Sequence, residues 1–278
     1  MPEEETPTPE SPQLPTQPPP AAEGAFVEGE AVTLPCGYLR DEKVHQDARI
    51  IPMTGLTRKA IAKDSVRNNP IKVTDIILSH CLKSIGPYVV TSRVLAELVI
   101  GDRDFLILEI RKISMGTTIT AGVTCETCDA KVDIKFNIDE IEVIRLVDPL
   151  GESSKIKVED GELVYPLSGK GFSSVCRFPK GKDQELIMQM AQKNPVAASY
   201  GLYVACLREW EGKKGPFEAA FFDELSLTKI DAFEDEFMAF QPGPIMKMEA
   251  PCPSCSSDID FTFRGSDFLF RAPKRGRI

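Results

Sequence analysis

The chain has 278 residues, a net charge of −9 and a pI near 5.0, which argues against nucleic acid as a main partner because phosphate binding needs a basic surface. Its apolar fraction of 42% and charged fraction of 27% are those of a soluble globular protein. The sequence shows no secretory signal and no apolar run that would span a bilayer. We therefore expect a cytoplasmic protein whose eight cysteines are thiols or metal ligands rather than disulfides.

The two ends of the chain are compositionally biased. Residues 1–28 consist largely of Pro, Glu, Thr and Ser, and such a segment cannot bury enough apolar surface to fold. We predict a disordered, extended arm there. The other end carries a basic tail, PKRGRI, with Lys274, Arg275 and Arg277, which we interpret as a solvated terminus.

Between these ends the sequence resembles itself. With an offset of 127 residues, the segment 97–136 aligns without a gap on 224–263, and nine of the forty positions are identical. An offset of 125 extends the match upstream, where Asn69, Pro70, Cys81 and Leu82 align with Asn194, Pro195, Cys206 and Leu207. Self-similarity at a fixed spacing indicates repeated structural units. We predict a tandem duplication, with copy one at residues 29–148, a linker at 149–160 and copy two at 161–278.

Each copy predicts the same elements in the same order. Two extended segments come first, AVTLPCGYL and ARIIPMTG in copy one. A helix then begins at the Asn-Pro dipeptide, with the asparagine as its N-cap. The helix has an apolar face at Ile71/Val196, Leu78/Tyr203, Cys81/Cys206, Leu82/Leu207 and Ile85/Trp210.

A second helix follows, with a possible break near Gly101–Asp102 in copy one. A turn at Gly116 or Gly243 then leads into strands that carry a Cys-x-x-Cys pair. This order predicts an α+β fold with helices first and a small sheet last, repeated once.

The Cys-x-x-Cys pairs are the strongest chemical signal. Cys125 and Cys128 lie between predicted strands in copy one, and Cys252 and Cys255 occupy the matching place in copy two. Zinc prefers four such sulfurs in a tetrahedron. Two copies packed about a pseudo-two-fold axis would bring the pairs face to face, so we predict one structural zinc per chain, held by all four cysteines in a zinc-ribbon-like site.

Two other interpretations of these cysteines remain open. The pairs could be metal-free thiols, or they could do redox work, although thioredoxin-like motifs place Cys-x-x-Cys at the start of a helix in a βαβ unit. Cys81 and Cys206 are expected to fill the core. Cys36 and Cys176 are given no role.

The sequence offers little material for catalysis. It contains two histidines and none of the common nucleophile, metalloprotease or phosphate-loop motifs. Asp133 and Asp260 stand at matching positions, but alternation along their strands predicts that both face water. We expect no enzyme activity, no catalytic residue and no small-molecule substrate.

Several segments resemble a known family. The stretches LPCGYL, IIPMTGLTRKAIAKD, ILSHCLKSIG and GDRDFLILEIRKISMG, followed by CETC, resemble T4-type phage baseplate proteins of the small hub-assembly family, whose relatives belong to contractile injection systems. The resemblance covers residues 34–140 well. Copy two reads TKIDAF in place of GDRDF, which leaves open whether both copies bind the same kind of partner.

The resemblance implies a non-enzymatic structural or assembly protein of a contractile tail baseplate. It would work with the hub, the spike or other tail proteins, in the bacterial host cytoplasm or within the assembled particle. Within the motif, we expect Arg103 and Asp104 to form a structural ion pair rather than surface charges. The alternatives are a zinc-ribbon adaptor in another cytoplasmic complex, possibly one that handles nucleic acid, and a thiol oxidoreductase.

Overall fold

The computed structural model describes residues 28–191 and 194–262. The predicted arm, apart from Glu28, and the basic tail lie outside the described residues. Helices and strands are mixed throughout the described part of the chain, in agreement with the predicted α+β class.

The first half of the chain, residues 28–148, builds a sheet around a short hairpin. The turn residues Asp41 and Glu42 have φ values of 50° and 59°, the left-handed conformation that matches the twist of a two-residue hairpin. Four antiparallel strands run in the order β1-β2-β3-β4. In chain order the elements of this half are β1 (Glu30–Arg40), β2 (Lys43–Ile50), α1 (Gly55–Ile61), α2 (Asp64–Arg67), α3 (Pro70–Cys81), β3 (Leu82–Ile85), β4 (Tyr88–Val89), α4 (Ser92–Glu97), α5 (Ile100–Met115), β5 (Thr118–Thr124), β6 (Lys131–Asn137) and β7 (Val143–Ile144).

The second half, residues 149–262, follows a similar plan. Its main sheet has the order β12-β11-β10-β9-β8, so strands β9 to β12 neighbour one another as β1 to β4 do. The elements are β8 (Lys157–Glu159), β9 (Glu162–Gly169), β10 (Phe172–Arg177), α6 (Gly181–Ala191), α7 (Pro195–Cys206), β11 (Leu207–Trp210), β12 (Lys213–Lys214), α8 (Leu227–Ala239), β13 (Gly243–Pro244), β14 (Lys247–Pro251) and β15 (Asp258–Thr262). A 3₁₀ helix at Ala219–Glu224 stands where the first half has α4.

The Asn-Pro pairs begin α3 and α7, as the sequence predicts. Asn69 Oδ1 accepts a hydrogen bond from the third helical amide of α3 at 3.0 Å. Asn194 Oδ1 accepts two, from the second and third amides of α7 at 3.0 and 3.2 Å. These bonds satisfy amides that have no partner within the helix.

Both helices end earlier than the apolar pattern predicts. Leu82 and Ile85 belong to β3, and Leu207 and Trp210 belong to β11. All four are buried. They are buried as members of the main sheets, whereas the apolar pattern predicts that a helix face buries them. Val196 does not join such a face, since it is 58% exposed.

The predicted second helix is interrupted at Leu98 and Val99, slightly before the expected break. Both residues are extended, with ψ of 139° and 142°. Their segment bonds to the second half instead: Gly181 N donates to Leu98 O at 2.8 Å, and Ile100 N donates to Pro179 O at 2.9 Å. Contact between the halves therefore separates α4 from α5.

The hydrophobic cores also tie the halves together. The core of the first half draws on the first half alone. The core of the second half includes Cys36 and Val99 from the first, with Leu39 and Val44 packed against it. In addition, β7 pairs with β13, so that one small sheet contains a strand from each half.

Asp102 supports an irregularity in β1. The pairing register of β1 with β2 shifts between Thr33 and Tyr38, which leaves two buried amides without strand partners. The carboxylate of Asp102 is fully buried and accepts a bond from each of them, Cys36 N and Gly37 N, at 2.8 Å. The second residue of the GDRDF stretch thus fixes the strand that lies against α5.

Arg103 has a structural role, but its ionic partner is not the expected one. Its side chain is 1% exposed and bonds to Asp75 Oδ1 at 2.5 Å rather than to Asp104. It also donates to Leu95 O at 2.8 Å and to Gln184 Oε1 of the second half at 3.1 Å. One buried guanidinium therefore joins α3, the end of α4, α5 and α6.

Replacing Asp102 with alanine should lower the free energy of unfolding by about 3 kcal/mol, because two buried amides lose their acceptor. The loss should grow on acidification. Burial raises the pKa of Asp102 from 3.8 to about 6, against the lowering effect of the two amides and Arg145. The folded protein therefore binds more protons between these values, and this group contributes stability that is lost as pH rises through about 6.

Urea unfolding of the wild type and of Asp102→Ala at pH 4.5 and pH 7 measures the loss of stability. The difference in the free energy of unfolding should be larger at pH 4.5. Asp133→Ala, at an exposed aspartate of β6, is the matched control and should be nearly neutral. A loss for Asp102→Ala no larger than that of the control would contradict the role of the carboxylate.

Candidate metal centre

The two Cys-x-x-Cys pairs occupy turns of the same local geometry, which we call the first knuckle (residues 125–130) and the second knuckle (residues 252–257). In the first, Cys125 N donates to Ala130 O, and Asp129 N donates to Cys125 O, both at 2.9 Å. The same two bonds recur in the second at 2.8 Å, starting from Cys252. Asp129 and Ser256 hold equivalent left-handed positions, with φ of 54° and 60°.

Each knuckle is the tip of a two-stranded hairpin, β5–β6 or β14–β15. Residues alternate between buried and exposed along β6. Val132 and Ile134 pack with Ile259 and with the first cysteine of each knuckle in one cluster. The opposite face is polar, and Asp133 and Asp260 are exposed as predicted. Strand alternation therefore turns the apolar faces of the hairpins toward each other and brings the knuckles together.

The four sulfurs converge on one point. Cys125 Sγ lies 3.7 Å from Cys255 Sγ, and Cys128 Sγ lies 3.8 Å from Cys252 Sγ. All four sulfurs lie within 4.8 Å of one another. A zinc ion with four sulfurs at about 2.3 Å has sulfur–sulfur separations of about 3.8 Å, and a disulfide would need about 2.05 Å. The cluster thus has dimensions that could hold a tetrahedral metal ion.

The arrangement is half enclosed. Cys125 and Cys252 are buried, at 1% and 2% exposure, and Cys128 and Cys255 are exposed. Four protein sulfurs would complete a tetrahedral site and leave no position for water or substrate, which is the pattern of a structural site rather than a catalytic one.

The close approach of the four sulfurs favours a bound cation. A hydrogen bond from the Ser257 hydroxyl is the largest cause lowering the pKa of Cys125, to about 6, and it also lowers the pKa of Cys255. The Ala130 amide lowers the pKa of Cys128, but the neighbouring sulfurs and burial raise it overall to about 12. Sulfurs this close cannot all ionise without a compensating charge, and a bound dication would supply it.

Ser257 is a site residue that sequence reasoning missed. Its Oγ lies 3.4 Å from Cys125 Sγ and 3.1 Å from Cys255 Sγ, so one hydroxyl contacts a sulfur of each knuckle. The matching position in the first half is Ala130, which has no side-chain donor. Because the repeat aligns Ser257 with an alanine, the sequence gives no signal for this hydroxyl, and its contacts are evident only from the packing of the two knuckles.

Ser257→Ala should reduce the affinity for a bound metal about tenfold or more, because polar groups that contact metal ligands orient them and tune their charge. Competition with a chromophoric chelator measures the affinity directly. Ser254→Ala is the matched control, since Ser254 contributes its backbone amide to Cys252 Sγ at 3.4 Å and keeps that bond in the variant. Equal affinities of the two variants would exclude a role for the Ser257 hydroxyl.

The other four cysteines lie away from the cluster. Cys81 and Cys206 end α3 and α7 and are at most 1% exposed, in agreement with core packing. Cys36 and Cys176 are fully buried in the core of the second half, where burial raises the pKa of both thiols. Within residues 28–191 and 194–262, one group of three or more His, Cys, Asp or Glu side chains has its ligand atoms close enough together to hold a metal ion. It consists of Cys125, Cys128, Cys252 and Cys255.

The fold and the cluster define a class: an α+β protein of two similarly ordered halves, with four cysteines gathered from both. Comparison with protein families matches residues 47–271 to T4 bacteriophage base plate protein. The chain belongs to this family, and the sequence-based recognition is confirmed. Searches of curated proteins and of solved structures found no match. Within the described ranges, every helix is too short or too polar to cross a membrane.

Proposed function

We propose that this protein is a non-enzymatic structural or assembly component of a contractile tail baseplate, working near the central hub with other tail proteins. The observation that carries the proposal is membership of the base plate family over residues 47–271. In the GDRDF stretch, which carries part of the resemblance, Asp102 and Arg103 are buried and make hydrogen bonds within the fold. The protein would act in the host cytoplasm during assembly or within the finished particle.

Deletion of the gene tests this role. The expected result is that tail assembly stops at the baseplate stage, with complementation by the wild-type gene restoring infectious or contractile particles. Functional particles from the deletion strain would refute the proposal. Complementation with Asp133→Ala, an exposed substitution, serves as a control for expression.

We further propose that the four-cysteine cluster binds one structural zinc per chain. Four sulfurs at tetrahedral spacing form the ligand set that zinc favours in structural sites. The support is geometric: 3.7 and 3.8 Å between sulfurs of opposite knuckles, near the expected 3.8 Å or so. Because two ligands come from each half, metal binding would act as folding energy for the contact between halves.

Elemental analysis of protein purified without added metal tests the second proposal. One zinc per chain is expected. Two metals per chain, or iron in place of zinc, would contradict it, and so would full folding stability with no metal at all. The outcome is independent of the deletion experiment, because a baseplate protein need not contain a metal.

We also propose that the chain arose by tandem duplication, with copies at residues 29–148 and 161–278 and a linker at 149–160. Three features favour this origin: the ungapped sequence match, the shared order of strands and helices, and the paired hydrogen bonds of the knuckles. Superposition of the halves in an experimental structure is the test. Halves that align no better than unrelated α+β folds would exclude it.

A further inference from the structure

The sulfurs of the cluster are arranged in pairs that cross from one knuckle to the other. The contacts of 3.7 and 3.8 Å are Cys125–Cys255 and Cys128–Cys252. Each pair joins a buried cysteine residue to a more exposed one. An oxidant in solution can therefore reach one member of each pair, while the other member lies within short reach behind it.

We propose that the metal-free cluster is a site of oxidative modification, at which peroxide forms disulfides between the knuckles, Cys125–Cys255 and Cys128–Cys252. These bonds would join the two halves covalently in place of the metal. The inference concerns the same four sulfurs as the proposed zinc site. It rests on their placement, however, and holds whichever metal they bind.

The chemistry proceeds in two steps at each pair. The sulfur of the exposed cysteine, Cys128 or Cys255, attacks hydrogen peroxide and the O–O bond breaks. The sulfur becomes a sulfenic acid, and the hydroxide that leaves takes up the thiol proton to form water. The buried sulfur of the opposite knuckle then attacks the sulfenic sulfur, the S–S bond forms, and a second water leaves. Two thiols lose two electrons and two protons, and one peroxide accepts them.

The fold favours this pairing in a second way. To form a disulfide, the two sulfurs of a pair must approach from 3.7 or 3.8 Å to about 2.05 Å. Side-chain rotation and small shifts of the two hairpin tips can supply this movement. The tips are already held together by the apolar cluster that contains Val132, Ile134 and Ile259. The four remaining cysteines are buried in the main cores, so they should stay reduced.

Two double variants of the full chain separate the possible products. Cys128→Ser/Cys252→Ser retains Cys125 and Cys255, which belong to opposite knuckles and are 130 residues apart in sequence. Cys252→Ser/Cys255→Ser retains Cys125 and Cys128 of one knuckle and is the matched control. Each is stripped with a chelator, treated with hydrogen peroxide, alkylated and run on a non-reducing denaturing gel.

The first variant should migrate faster after oxidation, because a disulfide across 130 residues compacts the denatured chain, and reduction should reverse the shift. The control should not shift. Peptide mapping of the oxidised wild type should find peptides of the two knuckles joined. Disulfides confined to single knuckles, or sulfinic acids without any cross-link, would overturn the proposal. Cross-links in a chain that binds no metal would support it while refuting the zinc site.

Discussion

Replacing Gly101 with alanine should destabilise the protein by at least about 3 kcal/mol, close to the upper end of what overpacking usually costs. A Cβ at this position would lie 1.7 Å from Pro242 O and 2.7 Å from the carbonyl carbon of the same residue. Both are backbone atoms and cannot rotate away. The penalty should exceed by far the gain of about 1 kcal/mol that alanine brings to a helix.

The contact at Gly101 is also connected, through β13 and β14, to the four-cysteine cluster. Pro242 precedes Gly243 in β13, which pairs with β7, and β14 leads from there to Cys252. Displacing β13 from α5 should therefore disturb the position of the second knuckle. We expect Gly101→Ala to weaken binding of the proposed metal as well as to lower the urea midpoint, although residue 101 lies outside both knuckles.

Gly55→Ala is the matched control for this prediction. Gly55 is the first residue of α1, and a Cβ there would meet no atom within 4 Å. The free energy of unfolding of the Gly55→Ala variant should stay within about 0.5 kcal/mol of the wild-type value or rise slightly. A Gly101→Ala variant that unfolds at the wild-type urea concentration would show that α5 and β13 do not pack as described.

Local signals explain what could be predicted from the sequence. Asparagine caps and N1 prolines act within one helical turn, so the starts of α3 and α7 were predictable. Strand alternation acts between neighbouring residues, so the exposure of Asp133 and Asp260 was predictable as well. The ends of α3 and α7 were not predictable, because Leu82 and Leu207 are apolar and suit a helix face or a sheet equally well.

The convergence of the four cysteines was predictable for a different reason. A Cys-x-x-Cys pair could supply half of a tetrahedral site, and the repeat offered a second pair, so the four cysteines could be grouped without any knowledge of the packing. The partners of Asp102 and Arg103 depend on contacts between distant segments. Periodicity identifies α5 as a helix. It does not reveal that Asp102 accepts hydrogen bonds from amides of β1 or that Arg103 pairs with Asp75.

Cys125→Ser should remove the metal and loosen the contact between the halves. A serine hydroxyl is a poor zinc ligand, and the three sulfurs that remain make an incomplete site. Because the binding energy of the proposed metal would act as folding energy, we expect a loss of at least about 3 kcal/mol in the free energy of unfolding. Elemental analysis and urea unfolding of the variant give the two quantities separately.

Hydrogen exchange can show where the loss occurs. Ile245 N donates to Glu142 O at 2.8 Å, a bond between the halves, and Glu211 N donates to Ser173 O at 2.8 Å within the second half. In Cys125→Ser the protection of Ile245 should fall more than that of Glu211, because the proposed metal would hold the two halves together rather than stabilise the main sheet. Equal losses at both amides would mean that the knuckles stabilise the whole fold uniformly.

Cys81→Ser separates metal loss from the cost of a buried hydroxyl. Cys81 is 1% exposed in the core of the first half, and serine there should lower stability because a polar group is buried. The metal content should remain that of the wild type. If Cys125→Ser also keeps its metal and unfolds like Cys81→Ser, then Cys125 is a packing residue, and the convergence of the four sulfurs is a remnant of the repeat rather than a binding site.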